Sequence, residues 1–409
     1  MEDNRPFAGI RVLAAVRVIA APFAAYQLAL HGAEVIRIED HEVPDTRRTS
    51  GGRNVGLTDK LMGTGFLAHG SNMKSLTVNM RTEQGREILR KLVATADVFL
   101  ENFRTGNLAK FGMDYVSLAK INPRLIYCSV TGFGQTGPRR HEAATDSLIQ
   151  AVSGFMSLNG HPDAAPVRGA SHVFDYGTGY AAALGISMAL LQREKTGRGQ
   201  HIDASLLDTA AIFMSTLVSD LVNAGVPPKR TGNRSDAGVA VTLSISDVFR
   251  CKDDTQLYLA ATRAHQQERM WTLIGRPGVL KDPRFDSMEK RRQNVDALYE
   301  VLGEALLART ADEWEALLPA QGVPATKVNS LADMLELEQI KSRGLIHDFG
   351  DMPELGIRLK VPGAAYKLSE GGARIDAPPP RMGQHNDEIL GGLGYGAEEI
   401  GKLRKDGVI

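Results

Sequence analysis

Short runs of β-branched and apolar residues alternate with longer segments of helical periodicity through the first half of the chain. Helices are predicted at Pro22–Leu30 and, after Thr82 as N-cap, up to Ala96. Strands are predicted at Ile10–Leu13, Glu34–Glu39, Ser75–Val78, Val98–Leu100 and Arg124–Val130. Strands separated by helices are typical of a parallel sheet covered by helices, so the pattern predicts an α/β fold.

Further along, a helix rich in small residues is predicted after Asp175 and up to about Lys195, followed by a strand at Gln200–Ser205. Gly177, Ala181 and Gly185 share one side of this helix, and core packing is the favoured explanation for them.

A change in composition near Gly225–Pro228 predicts a linker, and Thr310 with Glu313 forms a capping box that opens a helix to Leu318. We therefore expect a large domain over residues 1–225 and a small mixed domain over 226–330. The third segment, residues 331–409, is expected to return to the large domain.

The balance of charge narrows the classes of partner. The 409 residues include 48 Lys and Arg against 48 Asp and Glu, with 43% hydrophobic residues and 42 glycines. A net charge of zero argues against a nucleic-acid partner, because binding phosphates usually needs a basic excess. Two cysteines 123 positions apart, Cys128 and Cys251, exclude a disulfide scaffold and favour a cytoplasmic protein. The start is acidic and residues 18–30 are too short to span a bilayer, so no membrane partner is expected.

A GxGxxG motif at Gly132–Gly137 raises the possibility of dinucleotide binding. Pro138–His141 follows where a helix should begin, and the first turn of the fold, Val16–Ala21, lacks glycine. A glycine-rich turn beside some other pocket is the better interpretation. The ten histidines lack metal-ligand spacing, so no metal is expected, and His141, His161 and His172 are interpreted as loop or packing residues. No GxSxG elbow supports a serine hydrolase.

Asp175 is the most interesting carboxylate, because it lies where an apolar segment meets the start of a small-residue helix. It could be an N-cap that satisfies free backbone N–H groups. It could also be a covalent nucleophile, held ionised by the helix macrodipole and left accessible by Gly177 and Gly179. Local sequence leaves both interpretations open.

The ordered set of short motifs resembles the class III CoA-transferases, also called the CaiB/BaiF family. The motifs that carry the resemblance are Gly9–Leu13, Gly32–Ile36, Lys74–Ser75, Asp97–Phe103, Ser129–Pro138, Asp146–Gly154, Asp175, Thr196–Gln200 and Gly383–His385. The resemblance implies a Rossmann-like large domain with a parallel sheet, a smaller mixed α/β domain and an interlocked homodimer. It also implies acyl-CoA and a small carboxylic acid as substrates, with no tightly bound cofactor.

By this resemblance Asp175 is the catalytic aspartate. The implied chemistry moves CoA from a donor acyl-CoA to an acceptor acid through aspartyl mixed anhydrides and an aspartyl-CoA thioester. Asp146 matches an active-site neighbour, with a helix N-cap as the alternative.

Other residues carry over by the same resemblance. Val18 and Ala20 belong to the loop around the thioester, where Ile19 replaces a glutamine of some relatives. The expected CoA contacts are Lys74, Arg81, Asn102, Phe103 and Lys110, although Asp40 stands where some relatives have an arginine. Backbone N–H groups at Gly177, Gly232 and Gly238 are candidate oxyanion donors. Apart from the resemblance, Arg139, Arg140 and Arg168 are candidates to bind the distal carboxylate of a dicarboxylic acid, because the arginine fork matches a carboxylate.

Two other functions remain open. An α-methylacyl-CoA racemase shares the fold, but its histidine is Thr145 here, which leaves proton exchange without a second base. A CoA-ester-binding protein without catalysis is the alternative from another class. The sequence favours the transferase and does not name the acids.

Overall fold

The protein contains a six-stranded parallel sheet, and a computed structural model describes the chain over residues 3–50, 52–233 and 245–409. The strands of this sheet are β1 Arg11–Ala15, β2 Glu34–Glu39, β3 Met73–Thr77, β4 Val98–Glu101, β5 Ile126–Thr131 and β6 His201–Ser205. They lie in the order β3-β2-β1-β4-β5-β6, and every neighbouring pair is parallel. The α/β prediction is confirmed.

The other strands in the described ranges form two antiparallel sheets. Their members are β7 Ile245–Arg250, β8 Gln256–Ala261 and β9 Ala325–Lys327 in one sheet, and β10 Ile346–Met352 with β11 Ile357–Pro362 in the other.

Helices occupy much of the remaining described chain. In chain order they are α1 Ala20–Leu30, α2 Thr46–Thr49, α3 Val55–Thr58, α4 Thr64–Leu67, α5 Glu83–Val93, α6 Tyr115–Ile121, α7 Asp146–Val152, α8 Phe155–Leu158, α9 Val173–Thr196, α10 Leu206–Phe213, α11 Ser215–Ala224, α12 Ala264–Leu273, α13 Met288–Gln293, α14 Val295–Leu306, α15 Ala311–Ala320, α16 Leu331–Glu336, α17 Glu338–Arg343, α18 Asn386–Gly392 and α19 Ala397–Lys405. Short 3₁₀ helices lie at Leu108–Phe111 and Val279–Lys281.

The chain divides into two compact units. The first comprises residues 1–153, 169–213 and 341–409, and the second comprises residues 154–168 and 214–340. The unit boundaries nearest the predicted domain boundaries at 225 and 330 therefore lie at 213 and 340.

Each unit has its own apolar core. In the first unit the sheet residues Leu13 and Phe99 pack with Ile88 and Leu89 of α5. In the second unit Trp271 and Trp314 are almost fully buried, and the indole N–H of Trp314 donates to the carbonyl of Leu306 at 2.8 Å.

Helix α1 is buried along its whole length and packs against α9 in the first unit. The small residues of α9 make this possible, since a Cβ at Gly179 would lie 2.6 Å from the carbonyl oxygen of Ala20. The predicted packing role holds for Gly177, which faces Phe213, and for Gly185. It is wrong for Ala181, whose side chain is exposed.

No single helix in the described ranges has the length and apolar character to cross a membrane; α10 and α11, as a bent pair, meet those criteria by length and composition alone.

Candidate active site

The sheet order places a crevice between β1 and β4. Strands β2 and β3 follow β1 toward one side of the sheet, and β5 and β6 follow β4 toward the other side, so the strand order reverses between β1 and β4. Ligands of such sheets bind beyond the carboxyl ends of the strands at this reversal. Arg17 and Val18 follow β1, and Asn102 and Phe103 follow β4, so the sequence brings all four to this edge.

A cavity of about 720 Å³ lies at this edge. The turn before α1, the segments after β4 and β5, and the starts of α2, α7 and α9 contribute to its wall. Its lining includes Arg17, Val18, Ala20, Arg47, Asn102, Phe103, Gly132, Arg140, Asp146, His172 and Asp175. Four residues expected near the thioester or CoA, which are Val18, Ala20, Asn102 and Phe103, therefore share one cavity with Asp175.

Asp175 is the third residue of α9 and is 7% exposed. The N-cap of this helix is His172, whose side chain makes no capping hydrogen bond. The Oδ2 atom of Asp146 instead accepts from the backbone N–H groups of Phe174 at 2.7 Å and Asp175 at 3.1 Å. The N-cap interpretation of Asp175 is thus wrong, and a carboxylate from another helix satisfies these two donors.

Asp146 is itself held firmly. It is the first residue of α7 and not its N-cap, because Thr145 caps that helix by accepting from the N–H of Leu148. The Oδ1 atom of Asp146 accepts from Nε2 of Gln150 at 2.5 Å, and Oε1 of Gln150 accepts from the N–H of Gly169 at 2.8 Å. With both oxygens bonded and 2% exposure, Asp146 is suited to position α9.

The electrostatic setting of Asp175 differs from the expectation. Burial, with a smaller contribution from the Asp146 carboxylate, raises the pKa of Asp175 to about 7, while the positive charge of Arg47 opposes that rise. The helix macrodipole was expected to hold this carboxylate ionised; that expectation is wrong in direction, because desolvation outweighs a helix-end effect of about 1 kcal/mol.

His172 also belongs to the cavity. Its Nδ1 atom lies 3.8 Å from Oδ2 of Asp175, and its side chain is 40% exposed. The interpretation of His172 as a loop or packing residue therefore missed its place beside the carboxylate.

The turn between β1 and α1 forms one wall and is braced from two sides. Val18 has a left-handed backbone with φ 67°, and its N–H donates to both oxygens of Asp45 at 3.2 Å. Asn102 accepts from the N–H of Arg17 at 2.9 Å and donates to its carbonyl at 2.7 Å. A positive φ at a β-branched residue costs about 1–3 kcal/mol, so these bonds maintain an otherwise unfavourable turn.

Comparison with known protein families identifies the family of this chain. The family model of CoA-transferase family III matches residues 7–386, which is most of the chain. The chain belongs to CoA-transferase family III. It is therefore an enzyme of the CoA-transferase type, as the sequence predicted, with a CoA thioester as substrate.

Several curated relatives of this transferase are alike over nearly full length. The succinate–glutarate CoA-transferase of Agrobacterium fabrum is 33% identical, with 95% of this chain and 96% of that protein covered. The succinyl-CoA:glutarate CoA-transferase of Mus musculus is 33% identical, with 100% and 91% covered. The acetyl-CoA:oxalate CoA-transferase of Acetobacter aceti is 35% identical, with 90% and 95% covered.

A crystal structure of a CaiB/BaiF family protein from Brucella suis has the same fold. Its TM-score against this transferase is 0.84, at 33% identity, with 95% of this chain and 100% of that chain covered.

A second cavity of about 220 Å³ shares the walls Arg17 and Phe103 with the first. Arg81 of the transferase lines this second cavity and forms ion pairs with Asp40 at 2.9 Å and Glu42 at 2.7 Å. The predicted CoA contact Arg81 is thus beside the Asp175 cavity and not within it.

Two predicted lysines lie elsewhere. Lys74 is near the amino end of β3, at the opposite edge of the sheet, where it forms ion pairs with Glu34 at 2.9 Å and Glu388 at 2.7 Å. Lys110 lies 3.4 Å from Oδ1 of Asn107 and lines neither of these two cavities within the described ranges. The structure does not bring these lysines to Asp175.

The predicted oxyanion donors are also dispersed. Gly177 lies inside α9, where backbone N–H groups bond to carbonyls four residues earlier, and a Cβ there would lie 2.4 Å from Cζ of Phe213. Arg168 and Gly232 belong to the second unit, and Gly238 lies outside the described residues. No group of three or more potential metal ligands occurs in the part of the chain that the structure describes.

Proposed function

We propose that this CoA-transferase moves CoA between an acyl-CoA and a carboxylic acid by covalent catalysis at Asp175. One observation carries the proposal. The Asp175 carboxylate lines the main cavity, its backbone is fixed by Asp146, and its pKa is raised to about 7. A carboxylate that titrates near neutral pH is more basic than an ordinary one, and its poor solvation favours attack.

The first half-reaction begins when a carboxylate oxygen of Asp175 attacks the thioester carbonyl. The carbon–sulfur bond breaks, CoA leaves as thiolate and an aspartyl mixed anhydride forms. The thiolate then attacks the carbonyl carbon of Asp175. This releases the donor acid, which takes one oxygen from Asp175, and leaves an aspartyl-CoA thioester.

The second half-reaction repeats these steps in reverse. The acceptor carboxylate attacks the aspartyl thioester and expels CoA thiolate, giving a second anhydride. The thiolate attacks the acyl carbonyl of this anhydride, which forms the new acyl-CoA. Asp175 is regenerated with one oxygen from the acceptor.

The surroundings of Asp175 suit these intermediates. A mixed anhydride hydrolyses readily. Asp175 is only 7% exposed, so an anhydride formed on its carboxylate would be shielded from water. The fixed N–H groups of Phe174 and Asp175 keep the first turn of α9 in place while charge moves on the side chain.

We place CoA across the two adjoining cavities. The thioester end lies at Asp175, and the nucleotide end lies toward Arg81 in the smaller cavity. Arg17 and Phe103 line both cavities, which supports a ligand that passes between them. Arginine side chains suit the phosphates of CoA.

The acceptor acid is proposed to be a small dicarboxylic acid. Relatives named for glutarate and oxalate support this class. We also propose a homodimer, which the resemblance implies. The apolar side chains of Leu184, Met188 and Leu191 are exposed along one side of α9, which supports contact with a second copy.

The test compares Asp175→Asn with Asp208→Asn, a change of an exposed aspartate on α10. Asp175→Asn should lower transfer by at least about 10³-fold, and hydroxylamine should trap an aspartyl derivative only in proteins that keep Asp175. Near-normal transfer by Asp175→Asn, or turnover without any trapped derivative, would refute the nucleophile.

A further inference from the structure

Two adjacent arginines of α2 have different environments. Arg48 is fully buried, forms an ion pair with Glu39 at 2.7 Å and lies 3.5 Å from the ring centroid of Phe66. Arg47 is partly exposed and lines the Asp175 cavity. The fold therefore uses Arg48 in the core and leaves Arg47 at the site.

The backbone of Arg47 is tied to the same turn that forms the cavity wall. Its N–H donates to Oδ1 of Asp45 at 3.0 Å, and Asp45 also accepts from the N–H of Val18. Asp45 is buried and forms an ion pair with Arg37. Asp45 thereby fixes the backbone of Arg47 relative to the turn at Val18, which forms one wall of the cavity.

The guanidinium of Arg47 is available for a ligand. Among residues 3–50, 52–233 and 245–409, no carboxylate lies within 4.0 Å of it, Asp175 included. Its charge nevertheless opposes the rise in the pKa of Asp175. The group is thus near the nucleophile without being neutralised by it.

The other two arginines of the cavity are used differently. Arg17 donates to the carbonyl of Val43 at 3.1 Å, lies over the ring of Phe103 and lines the smaller cavity as well. Arg140 approaches the carbonyl of Gly137 at 3.5 Å. Arg47 lines the main cavity and not the smaller one, and it is the arginine that influences the pKa of Asp175.

We propose that Arg47 binds the second, non-reacting carboxylate of a dicarboxylic acid and so sets the selectivity of the transferase for such acids. This inference rests on the proposed function. A guanidinium donates two parallel hydrogen bonds to a carboxylate, and such charge-assisted bonds are the strong ones. A monocarboxylic acid of equal length leaves the guanidinium without that partner.

Arg47 replaces the earlier candidates for this role. Arg139 is paired with Glu142 at 2.6 Å and does not line the cavity, and Arg168 lies in the second unit. Arg140 lines the cavity, but its side chain is exposed and its Nη1 donates to the carbonyl of Gly137 at 3.5 Å.

The experiment measures acceptor kinetics of Arg47→Gln with a monocarboxylic donor, acetyl-CoA or butyryl-CoA, whichever the wild type accepts. Succinate is compared with butyrate, and glutarate with valerate. We expect KM for both dicarboxylates to rise 10- to 100-fold, with kcat within about threefold and the monocarboxylates unchanged. Arg139→Gln, the matched control, should behave as wild type.

Equal changes for dicarboxylates and monocarboxylates, or a raised KM for the acyl-CoA donor alone, would overturn the role of Arg47. If Arg47→Gln does not fold, Arg47→Lys decides, since it keeps the charge and loses the fork. Its preference for succinate over butyrate should fall at least threefold, and an unchanged preference contradicts the proposal.

A separate readout distinguishes this inference from the proposed function. Exchange of labelled donor acid into acyl-CoA, without acceptor, reports the first half-reaction alone. It should survive in Arg47→Gln and disappear in Asp175→Asn. Its absence from the wild type would refute covalent catalysis, whereas survival with unaltered acceptor selectivity would refute the role of Arg47 only.

Discussion

The side chain of Asp146 accepts a hydrogen bond from the backbone N–H of Asp175, at 3.1 Å between oxygen and nitrogen. One acidic residue thus fixes the main chain of another. The same negative charge contributes to raising the pKa of Asp175, after the larger effect of burial. Position and basicity of the proposed nucleophile are therefore set partly by one neighbour.

The first prediction concerns Asp146→Asn. Loss of the negative charge should lower the pKa of Asp175 below about 7, so the acid limb of the pH–rate profile moves to lower pH. The rate above pH 8 should fall about tenfold, because the amide pairs less well with Gln150 and positions α9 less firmly. Half-reaction rates between pH 5 and 9 measure both effects. An acid limb that stays at its wild-type pH would contradict the electrostatic role of Asp146.

The second prediction concerns stability. The pKa of Asp175 is about 7 in the folded protein against an ordinary 3.8, so the folded state holds the proton more tightly. The stability contributed by this group is fully present below pH 3.8 and is lost as pH rises through 7. Asp175→Asn carries no such charge, so its unfolding free energy relative to wild type should increase from pH 5 to pH 8, by at most about 3 kcal/mol. Urea unfolding at the two pH values checks this. Asp208→Asn is the control, and an equal difference at both pH values would argue against a buried charge.

The third prediction concerns the contact of α9 with α1. A Cβ added at Gly179 would lie 2.6 Å from the carbonyl oxygen of Ala20, whereas one at Gly185 would lie 3.3 Å from Cγ2 of Ile202. Gly179→Ala should destabilise the protein by about 1–3 kcal/mol despite better helix propensity, and it should impair transfer because Ala20 lines the cavity. Gly185→Ala should have a smaller effect on unfolding in urea. Equal stability of the two variants would show that this close contact is unimportant.

The fourth prediction concerns assembly. If α9 packs against a second copy through its exposed apolar residues, light scattering after size exclusion should give the mass of a dimer. Met188→Glu should weaken that dimer, whereas Lys195→Glu, an exposed change at the end of the same helix, should not. A monomeric wild type would refute the homodimer.

Much of the fold follows from local pattern. The alternation at Glu34–Glu39 gives β2 with the predicted bounds. The predicted capping box is also present: the N–H of Glu313 donates to Oγ1 of Thr310 at 3.2 Å, and the N–H of Thr310 donates to Oε2 of Glu313 at 2.9 Å. Thr82 caps α5 as predicted. These features depend on residues within one element, so the sequence contains the information directly.

The site is harder to predict because its contacts join distant parts of the chain. Asp146 and Asp175 are 29 positions apart, and Asn102 braces Arg17 across 85 positions. Arg47 and Arg48 are identical neighbours, yet only the folded chain distinguishes the cavity residue from the core residue. The hydrogen bond from Gln150 to Asp146 is predictable from the sequence, because the two residues are four positions apart on one helix.

The direction of the pKa shift at Asp175 also required the structure. Its place near a helix start is visible in the sequence and favours the ionised form. Burial by residues from other elements is not visible there, and burial dominates.

The central claim is that Asp175 exchanges an oxygen with each acid during transfer, and isotope labelling measures this directly. Wild-type enzyme is allowed to turn over with an acceptor acid whose carboxylate carries oxygen-18, and peptides are then analysed by mass spectrometry. Covalent catalysis predicts heavy oxygen in the peptide that contains Asp175, and in the released donor acid after several turnovers. Complete transfer with no heavy oxygen in that peptide would contradict the mechanism.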